Sequence, residues 1–132
     1  MFFGNNFDER VLRVKFVLKV LLIKKIKKME VQFNTDNNIE DPGRVSDFFS
    51  PIIEKEFKRF NSYITRLEVH LSDENGIKDG LEDKKCVIEA RLKGKKPIVV
   101  TNLAGSNELA IKGSIDKMKT SIDSILGKLK SY

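Results

Sequence analysis

The sequence predicts an α+β domain of order β-α-β-β-β-α, a four-stranded sheet with two helices packed on one face. Three observations carry this expectation. Four short runs alternate apolar and polar residues, the period of a half-buried strand. Two longer stretches repeat apolar residues at three-and-four spacing, the period of an amphipathic helix. The helices are also segregated from a three-strand meander, which is how an α+β layer pair reads in one dimension. With 132 residues, 40% hydrophobic and 33% charged, the chain holds one ordinary core.

Each element has its own signal. "MEVQFNT" sets Val31 and Phe33 on one side and Glu30, Gln32 and Asn34 on the other. "DNNIEDPG" is a turn-rich connection, and Asp41-Pro42 starts a helix with a capping side chain before a first-turn proline. Val45, Phe48, Phe49, Ile52, Ile53, Phe57 and Phe60 then form the apolar stripe, which with Phe33 places five phenylalanines on or near the core. Pro51 interrupts this stretch, and the unbroken phase from Val45 favours one bent helix over two. "ITRLEVHLSDENG" opens as a strand, with Leu67, Val69 and Leu71 inward and Arg66, Glu68 and His70 outward. A long polar connection leads to "CVIEARL", with Cys86, Ile88, Ala90 and Leu92 on the core side. "KGKK" is a tight turn, and "PIVVTNL" returns as a strand with Ile98 and Val100 inward. Ser106 caps the last helix, whose stripe is Ile111, Ile115, Met118, Ile122, Ile125 and Leu129.

The formal net charge of +6 suggests an anionic partner until it is divided along the chain. Residues 1–28 carry eight Lys and Arg against Asp8 and Glu9, so the whole excess lies there and residues 29–132 sum to zero. Attraction of the domain to an anion must therefore come from segregation of its charges. The leader 1–28 is cationic and apolar, but its longest uncharged run, Val20 to Ile23, is too short to span a bilayer, and it lacks the order of a secretory signal. Two readings stand: a cationic amphipathic helix able to lie on anionic lipid or RNA, or a segment foreign to the protein, with translation starting at Met29. The change of character at Met29 favours the second. One cysteine excludes an internal disulfide.

Catalysis finds little support. His70, the single histidine, shares its strand face with Arg66 and Glu68, and Glu89 and Arg91 lie on the same face across the hairpin. Complementary pairing across strands accounts for the row, and no nucleophile is placed beside it. Asp73, Glu74, Asp79, Glu82 and Asp83 lack calcium-loop spacing. One cysteine and one histidine do not make a zinc site, and no phosphate-cradling glycine loop occurs. No cofactor, metal or small-molecule substrate is expected, and no enzyme.

The run "YITRLEVHLSDENG…DKKCVIEARLKGKKPIVVTN…AIKGSIDKMKTSIDSILGKL" resembles the family of ribosome hibernation-promoting factors and ribosome-associated inhibitor A, also called sigma-54 modulation proteins, over about residues 29–130. It is most similar to the short members, which lack the dimerising C-terminal domain of the long ones. The resemblance implies a domain shaped like double-stranded RNA-binding domains. It also implies a cytoplasmic protein that docks through rRNA on the small ribosomal subunit, in the decoding region, and idles translation under stress. No stable membrane association is expected.

For RNA, Lys and Arg on phosphates supply affinity, and duplex RNA is read by shape. The candidates are Lys55, Lys58 and Arg59 on the first helix, and Lys112, Lys117 and Lys119 on the last. Arg66 on the open face and Arg91, Lys93, Lys95 and Lys96 around the hairpin complete the set. The last helix departs from the family pattern: after Lys117 and Lys119 its next turn reads Thr120, Ser121, Asp123 and Ser124. That departure keeps an alternative open, a diverged interaction or stress-response module with the same fold and weak or no rRNA binding.

Overall fold

A computed structural model describes residues 10–19, 29–74 and 82–130. A helix at residues 10–19 (α1) precedes β1 (Glu30–Thr35), α2 (Pro42–Glu56), a 3-10 turn (Lys58–Phe60), β2 (Ile64–Asp73), β3 (Lys84–Leu92), β4 (Ile98–Ala104) and α3 (Asn107–Lys130). The rest of the leader, Asp79 and the side chain of Leu129 lie outside the described residues.

The sheet order is β1-β2-β3-β4. β2, β3 and β4 form the antiparallel meander, and β1 joins beside β2 in parallel, Glu30 opposite Arg66 and Thr35 opposite Leu71. A parallel neighbour needs a crossover, and α2 supplies it. α2 packs on β1, while α3 packs on β3 and β4. Ile53 and Phe57 from one helix, and Met118 and Ile122 from the other, meet Leu67, Val69, Cys86 and Ile88 of the sheet. The buried side chains all face the helices, and the outer face of the sheet stays open. Ile39, in the stretch read as a plain turn, is also buried in the core.

Two local expectations are corrected. Asp41 does not cap α2 through its side chain: its backbone is left-handed at φ 49°, and Pro42 alone provides the helix start. Pro51 lies inside one continuous helix, in agreement with the unbroken phase from Val45. The broad apolar stripe of α2 divides in two. Val45, Phe49 and Ile53 turn to the core, whereas Phe48 is 62% exposed and Ile52 is also exposed. A helix resting on one edge of a sheet buries only a narrow stripe, so the second row has no sheet beneath it.

The end of α2 differs from its sequence signal: the helix stops at Glu56, and Lys58, Arg59 and Phe60, read as part of it, form the 3-10 turn. The start of α3 follows its signal. Ser106 Oγ accepts from the Leu109 amide at 3.2 Å, the expected N-cap. α3 approaches β4 closely at Gly113, which faces Asn102: a Cβ there would collide with the Asn102 side chain. Asn102 Nδ2 donates to the carbonyls of Leu109 and Ala110 at 3.2 and 3.3 Å, so it grips the helix backbone from the inward side of the strand.

Candidate nucleic-acid interface

The topology sorts charge by end. β2 begins where β3 finishes, Ile64 opposite Leu92, and the β3–β4 turn lies at that same end. Lys95 donates its amide to the Leu92 carbonyl across this turn, with Gly94 at φ 68°, a backbone that glycine adopts without strain. α2 runs back along β1, so its last turn returns beside Met29, which lines one groove with Lys55 and Lys58. α3 also finishes here, as Asp123 meets Arg59. Lys55, Lys58, Arg59, Lys93, Lys95 and Lys96 thus collect at one end, all exposed. Lys128, absent from the cations the sequence points to, joins them from the exposed face of the end of α3.

The opposite end is acidic and tied into the fold. Asp73 and Asp83 are 5% and 6% exposed. Lys84 donates to Asp73 at 2.6 Å and stands 3.7 Å from Asp83. The Asp73 hydrogen bond holds the lysine above its ordinary range, against the pull of burial. Asp36 accepts the Asp73 amide at 3.3 Å, and Glu74 donates its amide to the Asp83 carbonyl at 2.8 Å.

Several predicted cations have partners within the protein. Arg59 donates both guanidinium nitrogens to Asp123, at 3.1 and 2.9 Å, and lies 4.1 Å over the ring centre of Phe60. Lys119 pairs with Glu56 across the two helices, and its ammonium holds that carboxyl below the usual carboxylate range. Lys117 donates to the Thr101 carbonyl at 2.8 Å, covering part of the β4 edge. Lys112 lies apart, between Glu108 and Asp116 near the start of α3. By contrast Lys55, Lys58, Lys93, Lys95 and Lys96 make no ion pair among the described residues.

The open face is paired differently from expectation. Register sets Glu68 opposite Glu89 and Arg66 opposite Arg91, like facing like. The salt bridges run along each strand instead: Arg66 to Glu68, and Arg91 to Glu89 at 3.6 Å. Arg66 also donates to Gln32 of β1 at 2.8 Å, and His70 stands 3.9 Å from Glu68. Each strand carries Arg and Glu two residues apart, and the antiparallel alignment superposes them in matching positions. No group of three His, Cys, Asp or Glu among the described residues is placed to hold a metal. Cys86 is buried, which pushes its thiol up to about 11.

Fold and charge together define a small α+β domain with an open sheet face and an exposed basic end. The sequence pattern of the family described as "Sigma 54 modulation protein / S30EA ribosomal protein" matches residues 38–130, most of the chain, and the protein belongs to that family, the one its β2–α3 run resembles. Its fold is shared by the Protein Y N-terminal domain of Thermus thermophilus, with 20% identity and a TM-score of 0.54 over 74% of this chain and 99% of that one. It is shared as well by a ribosomal subunit interface protein from Coxiella burnetii, with 16% identity and a TM-score of 0.56 over 79% of this chain and 100% of that one. No curated protein matches the sequence. The family is one of ribosome-associated modulation factors, and no helix among the described residues is long and apolar enough to cross a membrane.

Proposed function

We propose that this protein binds the small ribosomal subunit at the decoding region through rRNA and idles translation there by occupying the path of messenger and transfer RNA. The observation that carries the reading is the segregation of exposed lysines, without an ion pair among the described residues, to one end of a domain whose residues 29–132 sum to zero charge. Phosphates of rRNA engage Lys55, Lys58, Lys93, Lys95 and Lys96 first. The opposite, acidic end is repelled, so the domain approaches in one orientation. Arg59, Arg66 and Arg91 border this surface with their guanidinium groups already anchored. Lys112, Lys117 and Lys119 contribute in a second rank, since two of them also hold the fold. The mechanism is steric, it requires no bond-making step, and its place is the cytoplasm.

The thin basic face of α3 favours one competing reading, an interaction module that has kept the fold and lost tight rRNA binding. Sedimentation of the full chain with purified ribosomes on sucrose gradients, at low and moderate salt, separates the two. Salt-sensitive co-migration that is lost in Lys93→Glu/Lys95→Glu/Lys96→Glu, with an unchanged melting temperature, is the expected result. Co-migration of that variant like wild type would sink the basic-end assignment, and a complete lack of ribosome association would favour the module.

A further inference from the structure

Two apolar surfaces in the described structure lack a partner. The first is the outer row of α2. Phe48 and Ile52 look across a groove of about 310 Å³ toward Ile111 and Ile115 of α3, with Phe49 edge-on to Phe48 at 5.0 Å between ring centres. The second is α1, in which Leu12, Val14, Phe16, Val17 and Leu18 are all more than half exposed. Apolar surface on this scale signals an interaction.

The two surfaces match in charge and reach. The groove's rim carries Glu56 on α2, and Glu108 and Asp116 on α3, with Lys112 between the last two. α1 carries Arg10, Arg13, Lys15 and Lys19, and no acidic residue occurs from Arg10 to Lys28. On its surface Leu12 and Phe16 stand one turn apart, with Arg13 on one flank and Lys15 on the other. An apolar ridge flanked by cations meets an apolar trough flanked by carboxylates. The leader enters the domain at Met29, which lies beside Pro51, Lys55 and Lys58 on the far flank of α2. Nine residues, 20–28, separate α1 from Met29 and span at most about 30 Å, enough to cross a helix about 10–12 Å wide.

We propose that α1 docks in the α2–α3 groove of its own chain, Leu12 and Phe16 down, as a strap across the helix layer. A segment foreign to the protein would have no reason to complement this groove, so the match counts the leader as part of the folded molecule. The strap covers Phe48 and Ile52, the row that the sheet leaves bare, and brings Arg13 and Lys15 to the two acidic rims. It leaves the basic end and the open sheet face uncovered, so its test reads out separately from ribosome binding.

The test is a disulfide trap in the full chain. Cys86 is buried with its thiol pushed up to about 11, so it does not compete. Phe16→Cys/Phe48→Cys should close an internal disulfide, read as a faster-running monomer on a non-reducing gel. It should close at least about tenfold faster than the control Phe16→Cys/Val99→Cys, whose second site faces away from the helices, because docking raises the effective concentration of the pair. Equal rates would overturn the proposal. So would disulfide-linked dimers alone, which would mean that α1 seats on a second copy. Failure to close, with the leader instead carrying the chain onto phosphatidylglycerol vesicles, would make α1 a lipid binder and overturn it too. An independent check needs no new cysteine: Phe48→Glu should speed tryptic cleavage at Lys15 and Lys19 several-fold, and an unchanged rate would count against the strap.

Discussion

The two ends of the sheet use charge in opposite ways. At the acidic end Asp73, Asp83 and Lys84 are drawn into the fold and bonded to one another. At the basic end Lys93, Lys95 and Lys96 stand on a two-strand turn, exposed and with no ion pair for their ammonium groups among the described residues. Burial makes the first set matter for stability, since a buried charge without its partner is costly. Exposure makes the second set matter for partners, since solvated lysines add little to folding and remain available to phosphate. A sum of zero over residues 29–132 therefore conceals two charge sets with different tasks.

Breaking each set should give opposite phenotypes. The largest effect is expected for Lys84→Met, which removes the cation from two buried carboxylates and should destabilise the domain by about 3–5 kcal/mol in denaturant titration. Ribosome co-sedimentation at a permissive temperature should be retained. Next comes the triple reversal at Lys93, Lys95 and Lys96. It should weaken ribosome binding by roughly a hundredfold at low salt and reduce the salt slope by about 1 per lost phosphate contact, while the melting temperature stays put. If either variant moved both readouts alike, the division of labour between the ends would fail.

Alkaline pH sharpens the contrast. Burial raises the Cys86 pKa from 9.0 to about 11, so its contribution to stability is complete below pH 9 and lost as pH rises to 11. Lys84 is likewise raised above 10.5, and its contribution fades over the upper part of that range and beyond. Stability should fall from pH 9 to 11 by on the order of 2 kcal/mol for the thiol, and Cys86→Val should flatten that part of the melting-temperature profile. The smallest effect is expected at the helix pair: Lys119→Met frees exposed Glu56 and should cost less than about 1 kcal/mol. A larger loss would move Lys119 into the class of Lys84.

Much of this was readable in the sequence. Alternation located β1, β2, β3 and β4, and the stripe from Ile111 to Ile122 located α3, because side chains on either surface report burial one residue at a time. Other features depend on which strands become neighbours. Glu68 opposite Glu89 follows from the β2–β3 register, which turn composition alone does not specify. Collection of Lys58 with Lys95 at one end follows from two helices returning to the same edge. Phe48 and Phe49 both belong to the periodic count, yet the roughly 100° between neighbouring helical positions leaves only one of them facing the sheet. The Asn102–Gly113 contact left no local signal either, since an inward asparagine on a strand is legible only once the helix above it is in place.

The parallel seat of β1 carries a consequence for how the chain is made. Glu30 hydrogen-bonds beside Arg66, a residue synthesised a whole helix later, whereas β2, β3 and β4 each meet a neighbour across one connection. Emerging from the ribosome, β1 and α2 have no sheet to join until β2 appears, and β2 must then accept a partner on each side. Loop closure delays the parallel pairing relative to the hairpins, so the meander with α3 is the natural nucleus and the N-terminal strand the last to lock. On that schedule the finished binding end, which needs the close of α2 beside the β3–β4 turn, is assembled only after the whole domain has left the machine it is proposed to silence.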